Sequence, residues 1–161
     1  MTRINLVPPE ELMDQHLFAE FREIKMVPKA LGRSLRAAWQ REFDKNDMGD
    51  FAEQRAHLAM SAVLQKVPPQ YTLNKGHVSF FYDKGEYLRE RFEQLREELS
   101  IRGYDYDREA VLDSDGMFAS LPATFNKHYT PTPDALALVR ERLNQRIALK
   151  PGWYRYSRPG C

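Results

Sequence analysis

The chain has 161 residues, of which 42% are hydrophobic and 29% charged, with a net charge of +1. That apolar content can bury a core and offset the entropy of ordering, so a disordered chain is excluded and the length suits a single domain over 1–161. No apolar run approaches a membrane span, the opening MTRINLVPPEEL lacks a signal peptide's apolar core, and the lone Cys161 has no partner for an internal disulfide. The chain is therefore expected in the cytoplasm, away from membranes.

In chain order, Pro8 and Pro9 introduce a first helical pattern in which Met13, Leu17, Phe21 and Ile24 form one apolar stripe. Gln15, His16, Ala19, Arg22 and Glu23 fall on the opposite side. Pro28 ends or bends that helix and opens a second, to about residue 43. Residues 44–70 are hard to read and look insertion-like, with a helix plausible over 50–66, closed by Pro68-Pro69. Residues 84–102 form a strong helix with a seam of Leu88, Phe92, Leu95 and Leu99. Its acids and bases interleave as on a solvated face, and Gly103 stops it. Residues 103–130 read as a long irregular connection. Thr132 as N-cap and Pro133 at the first helical position open a last helix to about residue 149, with Leu136, Val139, Leu143 and Ile147 inward. No alternating strand pattern persists, so the fold is predicted all-α: a few packed helices with long irregular loops in one compact domain.

The near-neutral total hides a strong partition. Residues 22–41 carry six bases against one acid, residues 140–161 again six against one, and residues 83–115 six against eleven. Two basic segments far apart in sequence can meet as a footprint for a polyanion, or be the solvated faces of two helices. No phosphate-loop, nucleophile-elbow or dinucleotide pattern is present, and His16, His57, His77 and His128 show no mutual ligand spacing. Chemistry without metal or cofactor is expected.

Two groups could supply such chemistry. Glu23 shares a polar helix face with Arg22, His16 and Gln15; it is a candidate acid–base group or a surface carboxylate in an ion pair. Thr2 is small enough that removal of Met1 is expected, which would leave its α-amine free. An α-amine has a pKa near 8 against about 10.4 for lysine, so about a quarter is neutral and nucleophilic at pH ~7.5. The tail Trp153-Tyr154-Arg155-Tyr156 can stack on bases and neutralise phosphate, or pack its aromatic rings onto the core.

Three stretches together carry a family resemblance: TRINL with ELMDQHLFAEFRE (11–23), GHVSFFYDK (76–84) and KPGWYRY (150–156). The sequence resembles the phage-type pyrimidine-dimer DNA glycosylase/AP lyases, the endonuclease V family, in the same order along most of the chain. The resemblance implies an all-α repair enzyme, a monomer with no obligate protein partner, that acts on damaged double-stranded DNA without metal or cofactor. It implies that the Thr2 amine attacks the anomeric carbon to form an imine, that Glu23 is the catalytic carboxylate, and that elimination then breaks the strand. Arg3 and Arg22 would flank the site, and Gln15, His16, Arg142 and Arg146 would contact DNA, with the tail Trp153, Tyr154, Arg155 and Tyr156. Ile24-Lys25-Met26 departs from the family's Leu-Pro-Arg, so an arginine is missing at Met26; Lys25 or Lys29 could replace its charge, and Arg33 extends the same basic run. The same imine chemistry on another lesion (a ring-opened purine or an abasic site) and a silent DNA-binding protein are the alternatives.

Overall fold

The computed structural model describes residues 3–46 and 52–160, which leaves Thr2 outside. Five α-helices occupy them: α1 (Asp14–Glu23), α2 (Met26–Asn46), α3 (Ala52–Gln65), α4 (Gly85–Ile101) and α5 (Pro133–Leu149). Short 3-10 turns lie at Pro9–Glu11, Ser79–Phe81 and Ala123–Phe125. Among the described residues there is no strand, only an isolated bridge between Lys84 and Asn126. The fold is all-α, as predicted.

The helices follow the apolar spacings. Leu17, Phe21 and Ile24 are fully buried, and so is the α4 seam. Phe21 stacks on Phe92 with ring centres 4.9 Å apart, which joins α1 to α4; burying each such ring contributes about 2–3 kcal/mol. The N-terminal helix is shorter than its sequence pattern. Leu12 and Met13 are extended, separating the 3-10 turn from α1, and the Asp14 carboxylate is drawn inward to Arg102, Tyr104 and Ser157. Pro28 falls in the first turn of α2, where its missing N–H has no partner to lose. Helix α3 lies back along α2 through Ala38, Ala59 and Val63, and Arg55 covers the Trp39 ring at 4.2 Å. The predicted helix over 50–66 is present from Ala52; its first two residues lie outside the described ones. In α5 the Thr132 hydroxyl accepts the Ala135 amide at 3.1 Å, the predicted N-cap.

The solvated face expected for α4 is only partly solvated. Arg91, Glu98 and Arg102 are buried. Arg91 makes a two-pronged pair with Glu20 of α1, Nε to Oε2 at 2.6 Å and a second nitrogen to Oε1 at 3.0 Å, and donates to the Val7 carbonyl. Arg102 bridges Glu98 and Asp14 at 2.7 and 2.9 Å. Periodicity cannot separate a buried charged pair from an exposed one, because the α1 residues that meet it, Glu20 and Asp14, are distant in sequence. The irregular stretch over 103–130 contributes Leu112, Phe118 and Phe125 to the core. Gly85 begins α4 where a Cβ would stand 2.7 Å from the Phe118 ring, so this close approach of helix to loop requires glycine.

Candidate DNA-binding groove

Residues 3–7 belong to no helix or strand, so their backbone polar groups need side-chain partners. The Arg3 amide donates to Glu23 Oε2 at 3.2 Å, the Ile4 amide to His77 Nε2 at 2.8 Å, and the Asn5 amide to Glu20 Oε1 at 3.0 Å. Glu20 and Glu23 sit one turn apart on α1. Glu20 faces the buried Arg91, while Glu23 is half-buried at the surface beside the N-terminal segment.

Arg3, Glu23, His16, Arg142 and Arg146 line one cleft of about 310 Å³, together with Asn5, Ala19, Glu20 and Leu143. A neighbouring cleft of about 440 Å³ shares His16, Ala19 and Arg146 and adds Gln15, Phe18, Arg22, Tyr106, Lys150, Trp153 and Tyr154. The shared residues make the two one groove, with a carboxylate at one end and an aromatic, basic wall at the other. The two distant basic segments thus do meet here in part, through Arg22 and through Arg142, Arg146 and Lys150. Burial above all, with Arg146 and Arg142 nearby, holds the Arg3 guanidinium below its ordinary range, while Tyr71 and Glu23 oppose the shift. Burial and Arg146 likewise hold the His16 imidazole below the usual histidine range. Its ring lies 4.6 Å from that of Tyr154, and neither nitrogen has a hydrogen-bond partner among the described residues.

The C-terminal tail reaches the groove through α1. Gln15 donates to the Trp153 carbonyl at 2.7 Å and accepts the Arg155 amide at 2.9 Å, while the Asp14 amide donates to the Arg155 carbonyl at 2.7 Å. Gln15 therefore clamps the tail. Trp153 is 52% exposed, so its ring is presented to solvent rather than packed into the core. Arg155 and Tyr156 line neither cleft; the Tyr156 hydroxyl donates to the Glu10 carbonyl at 2.5 Å and its ring lies against Arg102. Lys25, Lys29 and Arg33 line a separate cleft of about 260 Å³ with Arg36, facing Asp113 and Asp115, and Lys25 is paired with Asp107 at 3.4 Å.

Sequence reasoning missed Tyr106, which comes from the irregular connection and rests edge-on against Phe18 at 5.1 Å. It also gave no role to Asn5, Glu20 or His77; the signal was that they lie inside TRINL, ELMDQHLFAEFRE and GHVSFFYDK. A larger cleft of about 690 Å³ holds Glu10, Glu90, Glu97 and Glu98, with its arginines Arg91 and Arg158 paired to Glu20 and Glu98. That charge disfavours a polyanion. Among the described residues one group, Glu86, Glu90 and His128, brings possible metal-ligand atoms within 4.8 Å of one another; all three are exposed, and His128 Nδ1 is 3.3 Å from Glu90. Two carboxylates one helical turn apart and a histidine distant in sequence are not a spacing that sequence displays.

No helix among the described residues is long and apolar enough to cross a membrane. A model of the pyrimidine dimer DNA glycosylase family matches residues 1–112, which takes in the N-terminal segment, α1 to α4 and Tyr106, and stops before α5 and the tail. With more than half of the chain matched, and with Glu23 and the arginines gathered along one groove, the chain belongs to the pyrimidine dimer DNA glycosylase family and is a DNA repair enzyme.

Proposed function

We propose that this chain excises damaged pyrimidines, ultraviolet-induced dimers above all, by attack of the Thr2 α-amine on the anomeric carbon of the damaged nucleotide. Removal of Met1 frees the amine. Its lone pair forms the new C–N bond, the glycosidic bond breaks, and the base leaves with the bonding electrons and takes up a proton. Loss of the amine proton and opening of the sugar ring give an imine joining enzyme and DNA. Removal of a proton from the adjacent sugar carbon then expels the phosphate on the 3′ side and breaks the strand. The Glu23 carboxylate stabilises the cationic sugar and imine and handles these protons. This chemistry draws on an amine and a carboxylate and calls for no cofactor.

The observation that carries the reading is the hydrogen bond from the Arg3 amide to Glu23 Oε2, 3.2 Å, which puts this carboxylate beside the residue that follows Thr2. Arg3 and Arg22 would hold the phosphates flanking the lesion, with Gln15, His16, Arg142 and Arg146 along the groove and the tail from Trp153 to Tyr156 beside them. Lys25, Lys29 and Arg33 would touch the duplex further out. One domain spanning 1–161 would then be needed, because the matched region alone lacks α5 and the tail.

The test is borohydride trapping on irradiated duplex DNA. Protein with a free Thr2 amine is expected to give a covalent adduct and strand cleavage, and protein carrying one extra N-terminal residue to give neither. Normal trapping by the extended protein would overturn the reading.

A further inference from the structure

The stretch GHVSFFYDK supplies nothing to the chemistry above, yet it holds a histidine that is only 2% exposed. His77 Nε2 accepts the Ile4 amide at 2.8 Å. A backbone N–H can only donate, so Nε2 is bare and the ring proton sits on Nδ1, which donates to the Thr72 carbonyl at 2.8 Å. The Tyr71 hydroxyl donates to the Ile4 carbonyl at 2.6 Å. Both backbone groups of the fully buried Ile4 are therefore gripped by residues 71–77, between the Arg3 amide on Glu23 and the Asn5 amide on Glu20. Three successive amides of a segment without secondary structure are each satisfied by a different side chain. Ile4 lies two residues from Thr2, a Cα separation of at most about 7 Å, so the hold on Ile4 limits where the N-terminal amine can go.

We propose that His77, seconded by Tyr71, is a positioning residue: its neutral ring holds the Ile4 amide so that the N-terminal amine stands against Glu23, and protonation of the ring releases that hold. This rests on the reading of Thr2 as nucleophile. The charged and titratable groups facing the imidazole are Arg3 of the N-terminal segment, Glu20 of α1 and Tyr71 of its own loop, with Phe81 of the 3-10 turn packed edge-on at 5.8 Å. Burial holds the imidazole below the usual histidine range; the Thr72 carbonyl and Glu20 oppose this and Arg3 reinforces it. The hold is thus intact near neutrality and fails in acid.

The experiment uses the full chain with Met1 removed and measures single-turnover borohydride trapping on irradiated duplex DNA, duplex affinity and thermal melting, from about pH 5 to about pH 8. His77→Phe keeps the bulk but loses the acceptor; its trapping rate is expected to fall on the order of tenfold or more with duplex affinity unchanged. His77→Gln offers an amide oxygen that accepts the Ile4 amide and does not titrate, so it should restore most of the rate and flatten the acid side of the pH profile. Tyr71→Phe should slow trapping in the same way. A folded His77→Phe that traps at the wild-type rate, or a His77→Gln with the wild-type acid limb, overturns the inference. Where His77→Phe fails to fold, His77→Gln and Tyr71→Phe decide. A wild-type protein that gives no adduct sinks the amine reading and this inference with it, whereas equal trapping by wild type and His77→Phe sinks this inference alone.

Discussion

Glu20 and Glu23 are the same residue type, one turn apart on α1, and the fold gives them different work. Glu20 is locked between Arg91 and the Asn5 amide, so its charge is spent in the interior. Glu23 keeps a half-buried position on the groove. Glu23→Gln removes the charge and retains the shape and the acceptor for the Arg3 amide. Duplex binding should persist while base release falls by about a hundredfold or more, read by single-turnover release from irradiated DNA. Near-normal release would make Glu23 a surface carboxylate holding the chain in place and nothing more.

Helices α1 and α5 build the groove from opposite ends of the sequence, and their arginines should behave differently. Arg142 and Arg146 line the cleft from α5, and Arg146 is exposed. If they meet phosphates, Arg142→Ala and Arg146→Ala should each weaken damaged and undamaged duplex alike and lower the logarithmic salt slope by about 0.9. Arg22 lies on α1 one residue from Glu23, in the aromatic half of the groove. Arg22→Ala should slow lesion-specific turnover more than it weakens nonspecific binding. A salt series on both duplexes, with single-turnover release for all three variants, checks this division. An unchanged salt slope for the α5 variants would place the footprint elsewhere.

At the scale of the whole molecule, three groups tie stability to acid. Burial keeps His16 and His77 below their ordinary value of 6.5. Each therefore contributes stability that is complete above 6.5 and is lost as pH falls through its lower folded value. Burial opposes ionisation of Asp14, but hydrogen bonds from Ser157, Tyr104 and Arg102 outweigh it and hold this carboxyl below its ordinary 3.8. Its contribution is complete above 3.8 and lost at still lower pH. Melting temperature should accordingly fall in two stages on acidification, the first below 6.5 and the second below 3.8. His77→Gln should shrink the first stage alone. A melting temperature that stays level as pH drops below 6.5 would contradict the histidine assignments.

The sequence by itself determined the helices, because an apolar stripe at helical spacing, a threonine cap before Pro133 and a glycine after α4 act within a few residues of one another. It also determined the family, through TRINL, the polar face of α1 and GHVSFFYDK, and it named Glu23 and the groove arginines as candidates. What only the tertiary structure decided is which charges go inward and which residues meet. Arg91 and Arg102 read like any surface arginine until Glu20 and Asp14 arrive from α1. Gln15 reads as a contact residue until the tail folds onto it, and Tyr106 is invisible in a segment without periodicity. His77 is an isolated histidine until the Ile4 amide, 73 positions away, needs an acceptor. Local spacing encodes what neighbours in sequence can do, whereas a buried hydrogen bond or ion pair depends on a partner whose position only the packed chain supplies.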